Sequence, residues 1–176
     1  GLSLNPFAKG ALPTKDAFQS NDLKALLNRL RYLVNIRGIG VFTASPGMGK
    51  SYGIRCFQKE LNENLYKVVY LCLTTISVAE FYRQICDSLG LDVRGGKTVM
   101  FKAIQEQIYY LYKEKRQPLV LILDEAQYLS PGILRDLKML MNFEYDSLNC
   151  FTLILSAEPY FNKTLEKPVN EALRQR

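Results

Sequence analysis

The chain of 176 residues contains no histidine, and this absence excludes several kinds of chemistry. Ser-His and Cys-His catalytic pairs are ruled out, as are the zinc sites that most often use imidazole. The cysteines are widely spaced and never form a C-x-x-C pair, so we expect neither a disulfide framework nor a zinc site. They lie among apolar neighbours in predicted helices and strands, which predicts buried thiols in a reducing compartment. These cysteines are Cys56, Cys72, Cys86 and Cys150.

Long apolar runs are also missing. No segment approaches the roughly 18 consecutive apolar residues of a membrane-spanning helix, and the opening GLSLNPFAKG lacks the apolar centre of a secretory signal. We therefore expect a cytoplasmic protein without a membrane segment. Lysine and arginine number 23 against 17 aspartates and glutamates, so the net charge is +6. This surplus is compatible with binding a polyanion, although many soluble domains carry a similar one.

The stretch TASPGMGKS at residues 43–51 follows an apolar run at residues 39–42. Its two glycines, Gly47 and Gly49, can adopt backbone angles that turn successive N–H groups toward an anion. Lys50 would supply a cation at the β- and γ-phosphates, and Ser51 a hydroxyl for Mg²⁺. One departure from the phosphate-loop pattern is Ala44, where the pattern has glycine. We predict that ATP is bound by a run of consecutive residues: Ser45, Pro46, Gly47, Met48, Gly49, Lys50, Ser51 and Tyr52.

A second motif lies downstream, where the most apolar predicted strand delivers Asp124 and Glu125 to its carboxyl end. One acid in such a pair can hold Mg²⁺, while its neighbour takes a proton from the water that attacks the γ-phosphate. We assign Asp124, with Ser51, to the metal and Glu125 to the catalytic base. A helix-capping turn is the alternative explanation, and the phosphate loop upstream argues against it.

Hydrolysis also requires a sensor of the γ-phosphate and a countercharge in the transition state. Ser156, at the end of the following predicted strand, can supply the sensor hydroxyl. Arg174 and Arg176 can supply the countercharge by reaching the nucleotide of a neighbouring subunit. Simple solvation explains a terminal pair of arginines about as well.

Helices and strands alternate along the chain, which predicts an α/β layered fold with a mainly parallel sheet. We expect residues 1–19 to form an extended arm and residues 20–176 a single domain. The strand at residues 67–73 shows little alternation and is expected to be covered on both faces. Helices are predicted at residues 20–37, 50–61, 78–89, 98–114 and 131–142, and strands at 39–42, 67–73, 119–123 and 151–155.

Basic residues gather at two places. The outward face of the first helix carries Lys24, Arg29, Arg31 and Arg37, and a run at residues 113–116 ends the fourth helix. Either group can meet DNA or another partner. A solvated helix face explains the first group equally, and a favourable helix dipole explains the second.

Together these residues resemble the AAA+ ATPases that assist transposases (the IstB-, TniB- and MuB-like helpers) and their relatives of the ExeA secretion type. The likeness runs along nearly the whole chain. It is carried by the segments NPF, SPGMGKS, DEAQYLS, LRDLKMLMNFE and ALRQR. It implies a three-layer P-loop fold, Mg²⁺ and ATP as cofactors, Asp124 and Glu125 as the acidic pair, and Arg176, together with Arg174, as the arginine finger.

The chain departs from that family at two places. Ala157-Glu158-Pro159 stands where relatives commonly have Gly-Gln-Pro. Ser156 and Glu158 are therefore both candidates for the sensor of the γ-phosphate. The helical lid that follows the finger in AAA+ proteins is absent from these residues, so we expect either a fragment of a longer protein or a lidless core.

The resemblance implies an ATP-dependent switch that forms a homo-oligomer, ring or filament, on DNA and recruits or activates a transposase. The alternative is a secretion-assembly ATPase of the ExeA type, whose partner is cell-envelope machinery. A third reading, a nucleotide-gated binding module that does not hydrolyse, conflicts with the complete acidic pair.

Overall fold

The computed structural model describes residues 21–73, 77–143 and 148–171. The predicted arm, Arg174 and Arg176 lie outside the described residues. Within them, every predicted helix and strand is present, with ends shifted by at most two residues. The elements are α1 (Asn21–Ile36), β1 (Ile39–Thr43), α2 (Lys50–Glu60), β2 (Lys67–Cys72), α3 (Val78–Leu89), α4 (Lys97–Lys113), β3 (Leu119–Asp124), α5 (Pro131–Leu140), β4 (Phe151–Ala157) and α6 (Phe161–Leu165).

The four described strands form one sheet in the order β1-β4-β3-β2, and every neighbouring pair is parallel. The predicted parallel sheet is therefore confirmed. Because the strands are parallel, their carboxyl ends share one edge of the sheet. Register places Cys72 beside Asp124, and Phe42 beside Ser156. The segments that follow β1, β2, β3 and β4 consequently begin close together.

Helices cover both faces of the sheet and make the predicted three-layer sandwich. On one face, α3, α4 and α5 pack over Leu121, Leu123 and Leu155. On the other, α1 and α2 pack over Ile122 and Ile154. The central strands β3 and β4 are buried along their whole length. This continuous burial explains why their sequences are uninterrupted apolar runs, as expected for parallel strands covered twice.

Two helices begin and one ends at the signals found in the sequence. Ser77 Oγ accepts a hydrogen bond from the Glu80 amide, and the Glu80 carboxylate accepts one from the Ser77 amide, so the capping box is formed. Gly90 ends α3 with a φ of 74°, and Ser130 caps α5 by accepting a hydrogen bond from the Ile133 amide. These local contacts fix the ends of α3 and the start of α5.

The strand β2 corrects two expectations. It lies at an edge of the described sheet, where Val69 and Leu71 are buried while Tyr70 and Cys72 are exposed. The expectation of cover on both faces is therefore wrong for its carboxyl half, because α1 and α2 reach only Val68 on that side. Cys72 is an exposed free thiol and not a buried one, whereas Cys56, Cys86 and Cys150 are buried as predicted.

Candidate functional site

The loop between β1 and α2 has the backbone of an anion-binding turn. Gly47 and Gly49 adopt φ values of 81° and 76°, the left-handed angles predicted for them. The start of the loop is held to β4, since the Ala44 amide donates to the Ala157 carbonyl, and within the loop the Met48 amide donates to the Ser45 carbonyl. An 11-residue helix starts directly behind it at Lys50, so the positive end of that helix faces the loop.

The predicted phosphate-binding residues differ in their exposure to solvent. Ser45 to Gly49 are exposed, Lys50 is buried with 8% of its surface accessible, and Ser51 is half-buried. Tyr52 differs from the others, because its ring packs against the core between α1 and α2. Its contact with the nucleotide stays a prediction.

Asp124 joins the loop to the sheet. Its side chain is buried at the carboxyl end of β3, with 1% of its surface accessible. Ser51 Oγ donates to Asp124 Oδ2 at 3.0 Å, and the Tyr70 hydroxyl donates to the same oxygen at 2.8 Å. The two residues predicted to share the metal are thus in direct contact, although they are remote in the chain.

Glu125 forms the other half of the site. Its Oε1 lies 3.1 Å from Lys50 Nζ, and its Oε2 accepts a hydrogen bond of 2.6 Å from Gln127 Nε2. Gln127 in turn accepts, through Oε1, a hydrogen bond from the Glu158 amide. Glu125 has a φ of 58°, which is uncommon for a residue with a side chain and typical of functional sites. Its carboxylate is therefore held at both oxygens.

Several hydroxyl groups keep Asp124 ionised. Burial by itself raises the pKa of Asp124, but the hydroxyls of Ser156, Tyr70 and Ser51 and the Glu125 amide outweigh burial and hold the pKa below its usual value. The Ser156 hydroxyl lies close enough to Asp124 to lower that pKa, yet its buried Oγ makes no hydrogen bond to any residue that the structure describes. A buried hydroxyl without a partner is uncommon.

These features fit a hydrated Mg²⁺ ion and a triphosphate. Mg²⁺ commonly takes one or two protein oxygens plus water and phosphate oxygens, so Ser51 and Asp124 suffice without a dedicated acidic cage. The described residues contain no group of three or more His, Cys, Asp or Glu side chains able to hold a metal. The unpartnered Ser156 hydroxyl beside Asp124 leaves a donor that a ligand group can use.

Sequence reasoning missed three residues near the site. Tyr70 and Cys72 belong to β2, and Gln127 belongs to the short turn after Glu125. For Gln127 a signal existed, because it lies two positions beyond the acidic pair. Tyr70 and Cys72 gave no local signal, since they reach Asp124 only through the pairing of β2 with β3. Burial, followed by the hydrogen bond to Asp124 and the charge of that carboxylate, raises the pKa of the Tyr70 hydroxyl, so the hydroxyl stays a hydrogen-bond donor.

The fold and the loop after β1 are those of an α/β P-loop domain. A known family matches most of the chain: the AAA domain, over residues 34–165. The chain belongs to this family.

Individual relatives show where the chain stands within larger proteins. It is 28% identical over 179 residues to General secretion pathway protein A of Aeromonas hydrophila, a match that covers 100% of this chain and 32% of that protein. The chain therefore spans about a third of the length of this relative. None of the described helices has the length and apolar character needed to cross a membrane.

Two solved structures share the fold. Cdc6p from Pyrobaculum aerophilum matches with a TM-score of 0.68 at 19% identity, over 89% of this chain and 44% of its own. The ORC1 protein of Aeropyrum pernix, determined in complex with DNA, matches with a TM-score of 0.66 at 17% identity, over 85% of this chain and 42% of its own. At these identities the likeness is one of fold.

Proposed function

We propose that this domain binds ATP with Mg²⁺ and hydrolyses it. The observation that carries the proposal is the convergence of two remote segments. Lys50 and Ser51 come from the loop after β1, Asp124 and Glu125 come from the end of β3, and each residue of one pair touches one of the other. That arrangement supports one nucleotide site built from both segments.

Each side chain has a distinct task in the proposed reaction. The loop amides and Lys50 hold the phosphates, and Ser51 with Asp124 holds Mg²⁺, which offsets phosphate charge when it is bound. Lys50 has to transfer from Glu125 to the phosphates. That transfer frees Oε1 of Glu125 to accept a proton from the attacking water, while Gln127 keeps Oε2 in place.

The direct test uses the 176-residue chain with nucleotide. We expect ATP with Mg²⁺ to raise the melting temperature, because a ligand that binds only the folded state at 100 times its Kd adds about 2.7 kcal/mol of stability. Phosphate release should accompany binding and should stop when EDTA removes the metal. A melting temperature that millimolar ATP and Mg²⁺ leave unchanged would contradict the proposal.

Tyr70 is predicted to position Asp124 for the metal. Tyr70→Phe removes the 2.8 Å hydrogen bond to Oδ2 and keeps the ring, so the Mg²⁺ concentration for half-maximal hydrolysis should rise by about tenfold or more. A magnesium titration at saturating ATP measures this change. Tyr66→Phe is the matched control, since Tyr66 packs against the core before β2. Equal magnesium requirements in both variants would exclude the positioning role.

Self-association follows from the proposed arginine finger. Arg176, with Arg174, would complete the site of a neighbouring subunit in a homo-oligomer, which makes hydrolysis depend on protein concentration. Of the two candidate sensors of the γ-phosphate, we favour Ser156, because its hydroxyl has no partner among the described residues. Glu158 instead donates a hydrogen bond from its amide to Gln127. Residues 1–19 are proposed to form an arm outside the ATPase core.

Two partners remain as candidates for the switch. Similarity to General secretion pathway protein A along the whole chain favours a secretion-assembly ATPase that acts on cell-envelope machinery. The motifs DEAQYLS and LRDLKMLMNFE favour a cytoplasmic helper that assembles on DNA and recruits or activates a transposase. Salt-dependent binding to duplex DNA separates the two, because only the second requires it.

A further inference from the structure

The amino-terminal edge of the sheet, opposite the nucleotide site, carries a cavity of about 510 Å³. Its described lining consists of Arg37, Tyr112, Lys113, Arg116 and Pro118. Three of these five side chains are cationic, and no carboxylate is among them. We propose that this basic cavity binds the phosphate backbone of a nucleic acid. The inference is independent of the ATPase activity, and it deepens the second candidate above, assembly on DNA, by naming a surface that would contact the DNA.

Sheet topology brings the basic cavity together. Arg37 lies in the turn before β1, and Arg116 lies in the turn before β3. Because β4 lies between these two strands, Asn149, which precedes β4, is located between the two turns. Arg37 Nε donates a 2.8 Å hydrogen bond to the Asn149 carbonyl across this gap. Segments that are far apart in the chain thus place their cations around one opening.

The backbone at both arginines is unusual. Arg37 has a φ of 54° and Arg116 a φ of 55°, and with Glu125 they are the non-glycine residues of positive φ in the described chain. The end of α1 has the hydrogen bond of a Schellman motif, in which the Gly38 amide donates to the Leu33 carbonyl and Arg37 takes the left-handed position.

The same chain shows what this position normally holds. The end of α3 has the equivalent bond, from the Leu91 amide to the Cys86 carbonyl, and there Gly90 takes the left-handed angle. Glycine is the residue that pays no steric penalty at such an angle. Arginine is disfavoured at such an angle, yet it occupies two left-handed positions around one cavity. This indicates that the arginine side chains have a role of their own there.

Tyrosine rings lie against two of the three cations of the basic cavity. The Arg37 guanidinium lies 5.1 Å from the centre of the Tyr112 ring, and Lys113 Nζ lies 5.7 Å from that of Tyr109. A guanidinium fixed on one side by a ring and a carbonyl keeps its remaining donors for a phosphate. The Arg37 pairing argues against a membrane surface, because the Tyr112 ring is partly buried against the core and does not project to insert among lipids.

The test is a salt titration of DNA binding by the nucleotide-free chain. We expect a fluorescently labelled duplex to bind with an affinity that falls as salt rises, with a slope of about −0.9 in log K against log salt for each phosphate contacted. Arg37→Gly combined with Arg116→Gly should reduce the magnitude of that slope by about two. Glycine suits both backbone angles, so the melting temperature should stay near that of the unchanged chain.

Two controls make the result specific. Lys102→Ala removes one exposed positive charge from the first half of α4, and its slope should match that of the unchanged chain. Lys50→Ala should retain DNA binding, which separates this inference from the proposed ATPase function. Absence of duplex binding, an unchanged slope in the double variant, or binding only to vesicles of anionic lipid would overturn the proposal. Arg116→Gly alone gives a second test, with a slope change of about one.

Discussion

Glu125→Gln is expected to retain ATP binding and to lose turnover by a factor of about 10²–10⁴. The amide has nearly the shape of the carboxylate, so the loop and Lys50 still hold the phosphates. What it lacks is the ability to accept a proton from water. In addition, one amide oxygen cannot serve both Lys50 and Gln127, which now contact different oxygens of Glu125.

Single-turnover phosphate release and a fluorescent ATP analogue measure the two properties of the Glu125 variant separately. Glu106→Gln is the matched control, since it makes the same chemical change at an exposed position on α4. We expect that control to leave both properties unchanged. Hydrolysis at the unaltered rate in Glu125→Gln would show that another group takes the proton.

Lys50→Ala is expected to reduce ATP affinity by about tenfold to 100-fold, because it removes charge-assisted hydrogen bonds to phosphate that contribute about 1.5–3 kcal/mol. Lys50 is nearly buried, and Glu125 is its partner in the absence of nucleotide. The fold should survive the change, since Glu125 keeps Gln127 and partial exposure to water.

Isothermal calorimetry with ATP and Mg²⁺ measures the effect of the Lys50 variant. Lys59→Ala, which removes an exposed lysine from the last turn of the same helix, serves as its control. Comparable ATP affinities in both variants would remove Lys50 from the site. The Lys50 variant thus tests ATP binding, and the Glu125 variant tests turnover.

Much of the fold could be predicted because its signals are local. Apolar runs predicted the buried strands, Ser77 and Glu80 predicted a helix start, and Gly90 predicted a helix end. The turn after β1 was predictable for the same reason, since Gly47, Gly49 and Lys50 lie within four residues of one another.

Strand order was the part that local patterns did not contain. Whether β2 lies at an edge depends on which strand pairs with which, and that pairing exposes Cys72 and brings Tyr70 to Asp124. Arg37 and Arg116 meet for a similar reason, because β4 lies between their strands. Contacts set by non-local pairing require the assembled sheet, so periodicity alone could not reveal them.

The position of β4 has a consequence for how the protein matures. It follows β1, β2 and β3 in the chain, yet it occupies the place between β1 and β3. During synthesis, the loop after β1 and the acids after β3 emerge from the ribosome before the strand that joins them. Such long-range pairing is slow relative to local helix formation. The proposed nucleotide site is therefore completed late, when β4 inserts between β1 and β3.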